Sequence, residues 1–208
     1  PVIGMVGLIE DINKVCKKSW IKPGDQIWML GLPLETNNIK DNRISLSASS
    51  FLEHIHCLKT GRPPEVDLDL EKQVQFFLRN IIKKGIINSA HDLSDGGLVV
   101  ALAECCIASD LGATIKLPLS ESRLDRLLFA EGGGRVLVSC STEQTLNLKN
   151  YYKKISLHQA TNFSISHLGT VNDQNKLSVY QVNNSIIDID IFHIKDTYKN
   201  AILKKIVK

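Results

Sequence analysis

The sequence predicts an α+β fold, a sheet covered by helices on at least one face, and three observations carry that expectation. Residues 26–31 and 136–138 are short apolar runs of buried-strand type. Residues 67–85 and 94–109 hold their apolar side chains at helical spacing or all round. Beyond residue 163, strand-like runs are separated by Asn-rich turns, the pattern of hairpins rather than of helical crossovers. A chain of 208 residues supports one domain with a short extra segment.

The opening Pro1-Val2-Ile3-Gly4-Met5-Val6-Gly7-Leu8-Ile9 reads as a buried strand entered in mid-course, and so as the continuation of a longer chain. The turn Lys22-Pro23-Gly24-Asp25 then separates residues 1–25, a strand with its linker, from an α/β domain over 26–208. The polar stretch 34–50, rich in Asn and Ser, is expected to be a mobile surface loop. Carboxylates at 67–71 begin a helix whose face carries Val74, Phe77, Leu78, Ile81 and Ile82 and which closes at Gly85. A second, more buried helix starts between Ser94 and Gly97, runs to Ser109 and is expected to terminate at Gly112.

Ala113, Ile115 and Leu117 then alternate as a half-buried strand. Ser141-Thr142-Glu143-Gln144 has the spacing of a capping box and opens a third helix. Strands are expected at 163–171 and 177–182, with an alternating segment at Ile187, Ile189 and Ile191. A final helix over 197–206 carries Tyr198, Ile202 and Ile206 on one stripe.

Composition excludes several classes. The net charge is +3, but the basic residues are scattered, and no cluster is longer than two, so no nucleic-acid footprint is formed. Five cysteines without a CxxC pair argue against a disulfide scaffold or a zinc site and for the reducing cytoplasm. No apolar run is long enough to span a bilayer. His54 and His56 lack a carboxylate or cysteine at ligand spacing, so no metal site is assigned, although two residues two apart would share a strand face.

The most unusual segment is His91-Asp92-Leu93-Ser94-Asp95-Gly96-Gly97, polar residues and a glycine pair placed before a buried helix. Free N–H groups at such a terminus suit an anion. The carboxylates of Asp92 and Asp95 outweigh the charge of about +0.5 at a helix N-terminus, so a phosphate here would need a divalent cation or a basic neighbour. The alternative is structural: Ser94 or Asp95 caps the helix, a bond whose loss costs about 1 kcal/mol, and the glycines allow tight packing.

The Gly-rich turn Phe129-Ala130-Glu131-Gly132-Gly133-Gly134-Arg135 carries a similar choice. Either Arg135 is a fork for an anion, or Glu131 and Arg135 pair across a structural turn. The Lys-Ser/Thr of a phosphate loop does not follow it, and no nucleophile elbow, HExxH or Rossmann fingerprint occurs anywhere.

Through these segments the chain resembles the synthetase subunits of phosphoribosylformylglycinamidine synthases over nearly its whole length. The matching stretches are PVIGMVGLIED, KPGDQIWMLG, ASSFLEHIHCLKTGRPPEVDLDLE, SAHDLSDGGLVVALAE and LFAEGGGRVLVS. The resemblance implies a layered α/β sandwich of the aminoimidazole ribotide synthetase C-terminal type, preceded by the final strand of an N-terminal-type domain. It implies a ligase that uses ATP and Mg2+ to activate formylglycinamide ribonucleotide for attack by glutamine-derived ammonia. Its partners would be the preceding domains of the subunit, a glutaminase subunit and a small accessory subunit.

The family's catalytic histidines, main Mg2+ ligands and ATP-binding lysine lie outside this sequence, so no catalytic or metal-ligating residue is assigned. The ligand-binding candidates are His91, Asp92, Ser94, Asp95, Gly96, Gly97, Glu131 and Arg135. Two stretches depart from the family pattern: Phe-Gly-Glu-Ser is replaced by Phe129-Ala130-Glu131-Gly132, and Gly-Gly-Ser-Glu by Ser47-Ala48-Ser49-Ser50. The competing readings are a scaffold module without nucleotide chemistry and another ATP-using member of the superfamily.

Overall fold

Strand β1 (Gln26–Gly31) is apolar on both faces, and the fold explains why: it lies inside the sheet, with a separate core on each side. Ile27 and Met29 enter one core, Trp28 and Leu30 the other, as the two-residue period of a strand requires. The computed structural model describes residues 2, 4–9, 11–34, 41–120, 122–158 and 162–206.

After β1 come α1 (Ser50–His56), α2 (Leu68–Lys83), β2 (Ser89–Asp92), α3 (Gly97–Ser109) and β3 (Gly112–Leu117). They are followed by α4 (Leu124–Phe129), β4 (Val136–Cys140), α5 (Gln144–His158), β5 (Ser164–Asn172), β6 (Lys176–Gln181), β7 (Asn184–Asp190), α6 (Ile191–Lys199) and α7 (Ala201–Ile206). Among the described residues the strands form one seven-stranded sheet in the order β2-β4-β1-β5-β3-β6-β7. Only the β3–β6 pair is parallel. The α+β expectation therefore holds, as a mixed sheet with helices on both faces.

Helices α3, α4 and α6 cover one face. Leu98, Leu102, Cys105 and Cys106 of α3 are packed there against Ile27, Ile115 and Leu137. Helices α2 and α5 cover the other face over β1, β4 and part of β5, where Phe77 stacks on Tyr151 and meets Tyr152 and Phe163 edge-on or tilted. Helix α2 follows its sequence pattern closely: Asp67 caps it by accepting from Leu70 N at 3.0 Å, and Leu70, Val74, Phe77 and Ile81 are its buried stripe. Arg43 braces that cap with a 2.9 Å bond to Asp67 while holding Asp41 on its other side.

Several expectations are corrected. Residues 2 and 4–9 adopt no strand and expose Val2, Met5, Val6 and Leu8, because backbone pairing is what stabilises a strand and this chain gives them no neighbour. Residues 17–20, expected to be linker, pack on the domain that follows: Lys17 bridges Ser89, and Trp20 is buried in the core. The expected loop over 34–50 falls partly outside the described residues, and its remainder is not all surface, since Ile44 and Ser49 are buried.

Residues 50–56 form α1 rather than a strand, so His54 and His56 are exposed on a helix and share no strand face. Helix α3 stops at Asp110, which takes the left-handed conformation, while Gly112 already opens β3. The capping box is half formed: Ser141 Oγ accepts from Gln144 N at 3.3 Å, but the Gln144 side chain turns to Asn147. The last helix begins earlier than expected, capped by Asp190, and divides at Asn200 into α6 and α7.

Candidate functional site

Strand β2 is the edge strand that carries His91 and Asp92 to the rim of the sheet, antiparallel to β4. Leu93 N–H donates to Arg135 O, which anchors the chain as it leaves the edge. It then turns through Ser94 and Asp95 to Gly96 and Gly97, both in the left-handed region with φ of 80° and 67°. Asp92, Ser94 and Asp95 are exposed along this turn, and the glycines are buried beneath it.

The buried end of the turn is held by one remote carboxylate. Glu131 Oε1 accepts from Gly96 N and from Ser50 N, each at 2.8 Å, and so joins the N-terminal ends of α3 and α1. The backbone of Glu131 also exchanges two 2.9 Å hydrogen bonds with Ser45. The helix terminus that suits an anion thus already holds one, supplied by the chain itself. The two stretches that depart from the family pattern, at Glu131 and Ser50, meet each other here.

Neither Ser94 nor Asp95 caps α3. Its N-cap is Gly96, and among the described residues neither side chain takes a hydrogen bond. The expected cost of removing the Asp95 carboxylate is therefore lowered: Asp95→Ala should leave stability within about 0.5 kcal/mol of the parent in urea unfolding. A loss of about 1 kcal/mol would restore the capping role.

Arg135 fits neither expectation. It is only 3 % exposed, so its guanidinium is not a fork open to a ligand, and it forms no ion pair with Glu131. Instead Nη2 donates to Ala130 O at 2.6 Å, and Nε is buried without a partner. Burial lowers its pKa to about 10, with the charge of Glu131 opposing that shift, so the group stays cationic at neutral pH. The glycines of the turn serve close approach: a Cβ on Gly132 would lie 2.1 Å from Arg43 O.

His91 is half-buried, with Nε2 2.6 Å from Glu104 Oε2 and Nδ1 3.5 Å from Asp92 Oδ1. Lys18 approaches the same Glu104 oxygen at 3.7 Å. Sequence reasoning passed over Glu104, whose signal was available: it is the one charged residue in the apolar run 97–107. Of the eight candidates, then, Asp92, Ser94 and Asp95 face solvent, whereas Gly96, Gly97, Glu131 and Arg135 shape the turn and His91 is held behind it. Among the described residues no three His, Cys, Asp or Glu side chains gather at metal-binding spacing. No helix among them is long and apolar enough to cross a membrane.

Residues 22–181 match the family model described as AIR synthase related protein, C-terminal domain. The chain belongs to this family. It is 73% identical over 208 residues to a protein of Prochlorococcus marinus (strain NATL1A) named phosphoribosylformylglycinamidine synthase subunit PurL, which covers all of this chain and 26% of that relative. A protein of the same name from Nostoc punctiforme is 45% identical over 99% of this chain and 25% of its own length. The chain thus spans about a quarter of the relatives it matches.

Solved structures of two other proteins share the fold. Thermotoga maritima PurL complexed with ATP superposes with a TM-score of 0.64 at 16% identity, over 88% of this chain and 28% of that one. Escherichia coli HypE, a hydrogenase maturation protein, superposes at 0.54 and 12% identity over 84% of this chain and 51% of its own. One fold therefore serves proteins with different names, and the fold by itself does not fix the function.

Proposed function

We propose that this chain is the C-terminal domain of a phosphoribosylformylglycinamidine synthase synthetase subunit, the ATP-dependent ligase of purine biosynthesis that makes formylglycinamidine ribonucleotide from formylglycinamide ribonucleotide and ammonia. The observation that carries the reading is the 73% identity, over every residue of this chain, to a protein bearing that name. Residues 1–25 then belong to the end of a preceding N-terminal-type domain and its linker, and 26–208 to the domain itself. The wider assembly would include a glutaminase subunit and a small accessory subunit in the cytoplasm; a relative's structure is titled PurLQS. ATP is its nucleotide, in keeping with the relatives complexed with ATP, ADP and formylglycinamide ribonucleotide.

The division of labour within the site follows from exposure and charge. Asp92, Ser94 and Asp95 offer two carboxylates and a hydroxyl to a ligand, which suits hydroxyl or N–H donors and is unfavourable for a bare phosphate. Gly96, Gly97, Glu131 and Arg135 hold that face in shape, and Glu104 holds His91 behind it. Among the described residues the donor set does not make a site for Mg2+ by itself, so no step is assigned to a metal here.

Phosphoryl transfer depends on metal ions and donors arranged round the phosphates, and among the described residues no cluster of metal-ligating side chains is brought together. The purified chain should therefore release no phosphate above background from ATP, with formylglycinamide ribonucleotide and ammonia present. The full-length polypeptide that carries it should release phosphate only when the ribonucleotide is supplied. Steady turnover by the chain alone would assign catalysis to this domain, and phosphate release by the full-length polypeptide that ignores the ribonucleotide would remove the substrate assignment.

A further inference from the structure

The turn that presents Asp95 contains the one Asp-Gly pair of this sequence, and no Asn-Gly pair occurs in it. Such pairs are chemically labile, because the nitrogen that follows the aspartate can attack its side-chain carboxyl and glycine puts no Cβ in the way. Asp95 is exposed, and among the described residues its carboxyl takes no hydrogen bond. The reactive group is therefore free, and what restrains it is the backbone.

The ring that forms in this reaction holds Gly96 N together with Asp95 C, Cα, Cβ and Cγ. It closes only when Gly96 N eclipses Cβ about the Cα–C bond, which for an L-residue means a ψ of about −120°. The native turn is far from that value. Gly97 N–H donates to Ser94 O at 3.1 Å, Gly96 has φ of 80° and ψ of 1°, and Asp95 keeps a negative φ. These are the marks of a type II turn, in which the residue in the place of Asp95 has ψ of about +120°. Glu131 Oε1 accepts from Gly96 N at 2.8 Å and so holds the attacking nitrogen in the unreactive orientation.

We infer that Asp95-Gly96 is a latent site of aspartate isomerisation and that Glu131 is its latch. When the turn opens, Gly96 N bonds to Asp95 Cγ, the Cγ–OH bond of the acid form breaks, and the amide proton leaves with the hydroxyl as water. Water then adds to one of the two ring carbonyls. Addition at Cγ restores aspartate. Addition at the main-chain carbonyl breaks the bond from Asp95 C to Gly96 N, so the chain runs on through Cβ and Cγ and the α-carboxyl is left free. No oxidant, reductant or cofactor is consumed. The isoaspartyl backbone is one carbon longer, and a turn of that length does not set Gly96 N–H on Glu131 and Gly97 N–H on Ser94 together. The product is shut out of the native turn, and it is the kind of group that isoaspartyl-directed methyltransferases take as substrate. The inference needs only the turn and stands apart from the function proposed above.

Incubation of the full-length polypeptide at neutral pH tests it. Isoaspartyl carboxyls are methylated enzymatically with a labelled methyl donor, and the label is located by mass spectrometry of the peptide that spans Asp95. Isomerisation at Asp95 is expected to be at least about a hundredfold slower in the native protein than in urea. Glu131→Ala should speed the native reaction at least about thirtyfold, and Glu131→Gln, which keeps the acceptor, only about fivefold. Leu148→Ala in the opposite core, a loss of stability of similar size, should leave the native rate at Asp95 close to that of the parent. Equal rates in native protein and in urea overturn the protection. A rise in Leu148→Ala that matches Glu131→Ala assigns the reaction to global unfolding and overturns the latch, as does a Gln variant as fast as the Ala variant. Label that appears in urea without reaching Asp95 overturns the site itself.

Discussion

Gly97→Val is expected to destabilise the domain by more than about 3 kcal/mol, enough to unfold a domain of ordinary stability at moderate temperature. Gly97 has φ of +67°, and a Cβ there would lie 2.6 Å from Ala130 O and 2.8 Å from Phe129 C. Both obstacles are backbone, so they cannot rotate away, and the left-handed conformation itself costs an L-residue about 1–2 kcal/mol. Gly85 provides the control, since it too is left-handed, with φ of +64°, but a Cβ there would meet nothing within 4 Å. Gly85→Ala should lose about 1 kcal/mol in urea unfolding and Gly97→Ala clearly more. Equal losses for the two alanine variants would mean that the approach of the Gly-rich turn to α3 does not matter.

Glu131→Ala should lose about 3 kcal/mol, from the removal of one side chain that is neither apolar nor deeply buried. Its Oε1 satisfies Gly96 N and Ser50 N together, and a buried N–H left without an acceptor costs about 1–3 kcal/mol. Loss of a negative charge beside two helix N-termini adds a few tenths to about 1 kcal/mol. Glu131→Gln keeps a carbonyl acceptor in the same place and should lose only about 1 kcal/mol, the charge-dependent part. Chemical unfolding of the two variants makes the comparison; if Gln is as damaging as Ala, the geometry of the two bonds is not what Glu131 provides.

These two residues also mark where sequence stops being legible. Strand β1 and helix α2 could be read because their signals are local: an apolar run of strand length, and an apolar stripe behind a capping aspartate. Helix α1 could not. Its seven residues bury no side chain fully, and its start is fixed by Ser49 and by Glu131, 81 residues further along the chain. The capping of α3 failed to show for the same reason, since a sequence reader looks for a cap at Ser94 or Asp95 while the acceptor comes from position 131. The motif from His91 to Gly97 could be singled out by its composition, but which of its members face outward depends on the sheet edge and the turn beneath it. The charge of Arg135 is plain in the sequence, but its burial is decided by neighbours that no local pattern reveals.

The position of β1 in the sheet has a consequence in time. Of the described strands of this sheet it is the first to be made, yet its two neighbours are β4, at residues 136–140, and β5, at 164–172. During synthesis, Gln26–Gly31 must therefore wait, with its apolar side chains and both hydrogen-bonding edges unpaired, until well over a hundred further residues have been made. Pairings so distant in sequence form slowly, and the waiting strand is the kind of segment that captures other nascent chains. A chain halted before residue 164 would leave β1 with one edge permanently open, so premature termination between β4 and β5 should yield aggregate rather than a smaller soluble domain.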